Sequence, residues 1–256
     1  MGFKCSTKPE IGRKIIKEAT VMRQEKKFCS AVVVAAGKGC RYGSDIPKQF
    51  LKLNGKPVLY YSLKALSESE RIDEIIIVTS EEWIEYCADE IVKKYNMEKV
   101  EAIVAGGKER YDSVFAGLMA VDISADYVFI QDGARPMLTC DIIERGYESV
   151  LKYDAAAAAV LASDTVKVTN DDNVVTDTLD RAHTWLIQTP QIFAYKLILK
   201  AYFDLTDEDR DGITDDAMVV EKKTDTKVHL FEGSYNNIKI TNPGDIKRAE
   251  EMIKAL

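Results

Sequence analysis

A chain of 256 residues with 46% apolar and 30% charged side chains is long enough to bury one good-sized core and too apolar to stay disordered. Its net charge of -7 excludes broad nucleic-acid binding, which needs a cationic face, so an anionic ligand must meet a local cluster of positive charge. Cys5, Cys29, Cys40, Cys87 and Cys140 are widely spaced without a CxxC pair, and His183 and His229 fall in different elements, which excludes a disulfide framework or a His-based metal site and suits a reducing cytoplasm.

Residues 1–28 carry Lys4, Lys8, Arg13, Lys14, Lys17, Arg23, Lys26 and Lys27 but no apolar block of a signal peptide, so they read as a leader or tail before a domain spanning 29–256. No run approaches the ~20 apolar residues that cross a bilayer, so no membrane partner is expected. Ala31 to Ala35, Ile75 to Thr79, Ala102 to Val104, Tyr127 to Ile130 and Ala155 to Leu161 are Val-, Ile- and Ala-rich runs that predict buried parallel strands. Between them Val58 to Ser67, Glu82 to Tyr95, Tyr111 to Ala120 and Cys140 to Tyr153 have helical spacing. This alternation predicts an α/β fold with a doubly wound, mostly parallel sheet, whose ligands gather at the carboxyl ends of the strands. Thr165 to Thr169 and Val174 to Thr178, separated by Asn170-Asp171-Asp172-Asn173, predict a β-hairpin arm within about 163–188, packed either on another subunit or on its own domain. Helices are expected at Tyr195 to Phe203, at Asp215 to Lys223 and from Pro243, and a strand at Val228 to Phe231. Trp185 is expected in the core.

The first strand runs directly into Gly37-Lys38-Gly39-Cys40-Arg41-Tyr42-Gly43, where bare backbone can approach phosphate oxygens and Arg41 and Lys48 add charge. The segment lacks the Gly-Lys-Ser/Thr of a P-loop and the GxGxxG of a dinucleotide fold, and Pro47 stands where a helix would already be running. It reads as a long loop over a ligand. Asp132, in Gln131-Asp132-Gly133-Ala134-Arg135-Pro136, is suited to hold Mg²⁺ or a ribose hydroxyl, or simply to stabilise its turn. Gly106-Gly107-Lys108 through Ser113 leads into a helix and reads either as a base-reading loop or as a plain helix entry.

These segments, with Pro47-Lys48-Gln49-Phe50, Asp164-Thr165, Gln188-Thr189-Pro190-Gln191, Thr214-Asp215-Asp216-Ala217 and Asn237-Ile238-Lys239-Ile240-Thr241, resemble in type and order the 2-C-methyl-D-erythritol 4-phosphate cytidylyltransferases, relatives of the ribitol 5-phosphate cytidylyltransferases. The resemblance implies a Rossmann-like nucleotidyltransferase that moves CMP from CTP to a polyol phosphate with Mg²⁺, methylerythritol 4-phosphate being the first acceptor and ribitol 5-phosphate the alternative. A sugar-1-phosphate nucleotidyltransferase and a nucleotide-binding regulatory protein are the rival readings.

By the same resemblance Ala35, Ala36, Gly37, Gly107, Lys108 and Ser113 surround the cytidine, and Asp132 meets the ribose and the metal. Arg41 and Lys48 contact the triphosphate, and Lys239 lies near the α-phosphate. Arg135, Ser163, Asp164, Thr165 and Asp215 are the implied acceptor contacts, and the arm clasps a second subunit in a homodimer. Ser163 stands where the methylerythritol enzymes typically have Arg or Lys, so the arm offers a hydroxyl in place of a charge. The chemistry agrees with the resemblance, because a phosphate nucleophile is already ionised at neutral pH and needs no Ser-His-Asp arrangement.

Overall fold

The computed structural model describes residues 26–37 and 46–254. Most of the leader expected over 1–28, and the loop carrying Lys38, Gly39, Cys40 and Arg41, lie outside the described residues.

Seven strands form one sheet in the order β11-β7-β10-β6-β1-β4-β5. They are β1 (Cys29–Ala35), β4 (Glu74–Thr79), β5 (Val100–Ala105), β6 (Tyr127–Asp132), β7 (Ala155–Leu161), β10 (Trp185–Ala194) and β11 (His229–Glu232). β1 pairs in parallel with both β4 and β6, and β4 with β5. Side chains alternate across these strands, so two cores form. Ala31, Val33, Ile75, Ile77 and Phe129 face α1 (Val58–Glu68) and α3 (Cys140–Tyr153). Val32, Ile76, Val78, Val128 and Ile130 face α2 (Arg110–Ala120), α4 (Tyr195–Phe203) and α5 (Asp216–Lys223). Apolar runs without alternation thus become strands buried on both faces.

The six predicted strands of the main sheet all run in the same direction, as a mostly parallel sheet requires, and its one antiparallel member among the described residues, β10, is a strand that the sequence pattern did not predict. β10 runs antiparallel between β6 and β7, while β7 pairs in parallel only with β11. Pro190 concealed this strand, since proline removes a ladder donor. It is tolerated because it falls in the register break between Ile187 and Gln191. The expected helix over 82–95 is interrupted: a 3-10 turn (Glu81–Trp83), one α-turn (Ile84–Tyr86) and a π-helical stretch (Cys87–Lys93) follow one another. A small hairpin of β2 (Lys52–Leu53) and β3 (Lys56–Pro57) turns through Asn54 at φ 48 and Gly55 at φ 79, the conformation that an Asn-Gly pair favours.

The arm consists of β8 (Lys167–Thr169) and β9 (Val175–Thr178), shorter than the sequence pattern suggests and separate from the main sheet. Every residue of both strands is exposed, so it does not pack on its own domain. Trp185 is not a core residue. It is 39% exposed, beside the exposed Leu161, Leu186 and Ile187, because it lies at the start of β10, whose first three residues are all exposed. The chain closes with α6 (Pro243–Lys254), and among the described residues no helix is long and apolar enough to cross a membrane.

Candidate active site

The carboxyl ends of β1, β5 and β6 bring three segments together. After β1, the buried Gln49 donates its amide to the carbonyls of Ala35 and Gly37, which anchors the entry to the glycine-rich loop. Lys48, next to Gln49, opens a 3-10 turn and is half-buried. After β5, Gly106 donates to Thr79 O at 2.7 Å, and a Cβ on it would lie 2.5 Å from that of Ala36 and 2.7 Å from Ser113 Oγ. A Cβ on Gly107 would collide with Asp112. Only glycines let these loops approach so closely.

Ser113 is buried and its hydroxyl is used within the loop, accepting from Gly107 N at 3.2 Å and donating to Glu109 O at 3.1 Å. Glu109 and Asp112 complete a capping box at the start of α2, with Glu109 N donating to Asp112 Oδ2 at 3.1 Å. Ser113 therefore shapes the loop whose exposed rim carries Gly107 and Lys108.

Asp132 ends β6, and its N–H donates to Thr189 Oγ1 at 3.1 Å, so the polar break in β10 fixes its backbone. Among the described residues, three cations surround its carboxylate. Lys239 Nζ is 2.9 Å from Oδ2, Arg135 Nε 3.5 Å from Oδ2, and Arg110 Nε 3.5 Å from Oδ1. Burial by itself would push the Asp132 pKa up; Lys239, Arg110 and Arg135 overrule it and hold the group below the usual carboxylate range. Lys239 reaches the site because Ile240 N donates to Ala134 O at 2.8 Å and Asn237 O accepts from Arg135 at 2.7 Å. Burial lowers the Arg135 pKa against the attraction of Asp132.

Arg110 is not among the residues that the sequence singles out. It donates to both oxygens of Asp216, at 2.9 and 2.7 Å, and Asp216 is fully buried. The sequence signal that could have found it is an arginine three residues after Gly107, at the first position of a helix, where a cation gains nothing from the helix dipole. Asp215 caps α5 by accepting from Met218 N at 3.0 Å, and its other oxygen accepts from Gln191 at 2.9 Å. Both of its oxygens thus have partners within the fold.

The implied acceptor contacts are split. Arg135 joins the Asp132 cluster, whereas Ser163, Asp164 and Thr165 are exposed at the base of the arm, where Ser163 O accepts from Arg181 at 3.2 Å. Among the described residues, no hydrogen bond or ion pair links Ser163, Asp164 or Thr165 to Asp132 or Lys239. His183 pairs with Asp180 at 2.8 Å on the arm side.

The described residues hold no group of three or more His, Cys, Asp or Glu that could cage a metal by protein ligands alone. Magnesium does not require one, since it commonly binds one carboxylate together with phosphate oxygens and water. Asp132 supplies a carboxylate of the type that such a donor set uses, and its oxygens face Lys239, Arg135 and Arg110.

The model of the 2-C-methyl-D-erythritol 4-phosphate cytidylyltransferase family matches residues 29–255. The enzyme of that name from Clostridium botulinum is 47% identical over 227 residues, covering 89% of this chain and 98% of the relative, and that from Lachnospira eligens is 48% identical over 226 residues, covering 88% and 99%. Among solved structures, the 4-diphosphocytidyl-2C-methyl-D-erythritol synthase of Anaerococcus prevotii superposes with a TM-score of 0.78 at 32% identity, covering 90% of this chain and 97% of that one. The Francisella tularensis cytidylyltransferase gives 0.74 at 31% identity, covering 88% and 99%.

Proposed function

This chain belongs to the 2-C-methyl-D-erythritol 4-phosphate cytidylyltransferase family, and we propose that the cluster of Asp132, Lys239, Arg135 and Arg110 forms the phosphate side of its active site. The enzyme transfers CMP from CTP to 2-C-methyl-D-erythritol 4-phosphate. A phosphate oxygen of the acceptor forms the new bond to the α-phosphorus, the bond to the β-phosphate bridging oxygen breaks, and pyrophosphate leaves with that electron pair. No proton needs to be removed from the nucleophile, because a phosphate monoester is already ionised at neutral pH.

The protein has to orient two polyanions and balance the charge that gathers on the pentacoordinate phosphorus. The observation that carries the assignment is Lys239 Nζ at 2.9 Å from a buried, ionised Asp132 at the carboxyl edge of the sheet. In this reading Asp132 restrains Lys239 so that its ammonium faces the α-phosphate with little reorganisation. Lys48 and Arg41 serve the triphosphate from the first loop, Arg41 lying outside the described residues. Ala35, Ala36, Gly37, Gly107 and Lys108 line the nucleoside side, with Ser113 keeping the loop in shape, and Arg135 and Asp215 belong to the acceptor side. Asp132, together with phosphate oxygens, would hold magnesium, which would supply Lewis-acid charge compensation.

The reading extends to a homodimer in which the arm of one protomer brings Ser163, Asp164 and Thr165 to its partner's site. Two observations support it: the arm is exposed on both strands, and Leu161, Trp185, Leu186 and Ile187 expose apolar surface at its base. A cytoplasmic enzyme, with its domain beginning near residue 29, is the matching expectation, supported by the free thiols of Cys29, Cys87 and Cys140.

Release of pyrophosphate from CTP and Mg²⁺, measured with 2-C-methyl-D-erythritol 4-phosphate and with ribitol 5-phosphate, tests the acceptor. Higher kcat/KM with the first is expected; preference for the second would overturn the assignment.

A further inference from the structure

We propose that Arg110 is a positioning residue for the transfer: braced on Asp216, it fixes the orientation in which the Asp132 carboxylate meets the nucleotide. The inference rests on the role given above to Asp132. The two oxygens of that carboxylate have different neighbours, Oδ2 facing Lys239 and Arg135 while Oδ1 faces Arg110 Nε at 3.5 Å. Among the described residues, Arg110 is the cation paired with Oδ1, and its own orientation is set from behind. Its Nη1 and Nη2 both donate to Asp216, while its Nε lies 3.5 Å from Asp132 Oδ1 in an ion pair.

Asp216 is a firm anchor. It is fully buried, its Oδ1 also accepts from Tyr202 at 2.7 Å, and its N–H donates to Gln191 Oε1 at 2.9 Å. A planar guanidinium can engage one carboxylate with two nitrogens and present a third edge to another; an ammonium, as a point charge, cannot fix both. Chain position adds to the argument, because Arg110 opens α2 at the end of the loop that runs from Gly106 to Glu109. One side chain therefore ties the nucleoside loop, the end of β6 and the start of α5 into a single unit. A displacement of the loop becomes a displacement of Asp132.

A merely structural ion pair would lower stability and leave the folded enzyme's kinetics intact. The positioning role predicts that Arg110→Lys, which keeps the charge and loses the fork, lowers kcat by ~10–100-fold at saturating CTP, Mg²⁺ and 2-C-methyl-D-erythritol 4-phosphate. It also predicts that the tightening of CTP binding on addition of Mg²⁺, measured by calorimetry without acceptor, shrinks several-fold. Tyr202→Phe removes only the hydroxyl behind Asp216 and is expected to show a smaller loss in both readouts with little change in Tm. Folded Arg110→Lys with both readouts within about twofold of wild type would overturn the inference; should that variant not fold, wild-type values in Tyr202→Phe would do so. Asp132→Asn separates the two levels. If it retains full turnover, the role of Asp132 fails; if it is impaired while Arg110→Lys behaves as wild type, only the role of Arg110 does.

Discussion

Asp132 is a carboxylate whose burial is outweighed by its neighbours, and this has a consequence for pH. Its pKa in the fold lies below that of the unfolded chain, so its pairing contributes stability that is fully present above the unfolded value of about 4 and is lost as pH falls through the folded value. The difference in unfolding free energy between wild type and Asp132→Asn should stay level from pH 8 to 5 and shrink only in more acidic solution. Denaturant melts at pH 7, 5 and 3 would show this, and a difference already falling at pH 6 would contradict it. Asp216 is the opposite case in kind, since its removal leaves Arg110 without its main counter-charge; Asp216→Ala should cost about 3–5 kcal/mol by chemical denaturation. Burial pushes the thiols of Cys29 and Cys87 up to about 12, whereas Cys140 is exposed. A disulfide reagent at pH 8 should label Cys140 in the native protein and spare Cys29 and Cys87 until unfolding, which peptide mapping would report.

At the scale of elements, helix-to-sheet contact is set by small residues. Gly117 of α2 sits on β1 and β4 where a Cβ would overlap Val32 and Val78, so Gly117→Val should destabilise by about 1–3 kcal/mol, read from urea unfolding. Elements buried on both faces were legible in the sequence because their apolar runs have a single physical explanation: β1, β4, β6 and β7 fall within two residues of their expected limits, and α3 spans Cys140–Tyr153 as expected. β10 was not, since its centre is Gln188-Thr189-Pro190-Gln191. Those residues serve other elements, Gln188 bonding Ser234 and Gln191 the start of α5, and polar residues with distant partners leave no local period. The same reason hid Arg110, whose partners Asp132 and Asp216 are remote in sequence, whereas the glycine and Asp132 motifs are contiguous. The broken helix over residues 81–93 has apolar spacing compatible with an α-helix, and only its packing, with Trp83 stacked on Phe50 at 4.3 Å and Tyr86 edge-on to it, distinguishes the outcome.

For the whole molecule, the proposed nucleotide side draws its described residues from the carboxyl edge of the sheet, while the arm projects with its apolar base exposed. Trp185→Arg should therefore shift the particle from dimer to monomer in light scattering coupled to gel filtration, with a larger loss in apparent affinity for the acceptor than for CTP. An unchanged dimer would mean that this face is not the interface. The central claim, that Lys239 held by Asp132 compensates charge during cytidylyl transfer, is tested most directly by the turnover of Lys239→Ala in pyrophosphate release at saturating CTP, Mg²⁺ and 2-C-methyl-D-erythritol 4-phosphate. A folded variant with kcat reduced at least ~100-fold is the predicted result, the scale of a lost transition-state contact; kcat within a few-fold of wild type would contradict it.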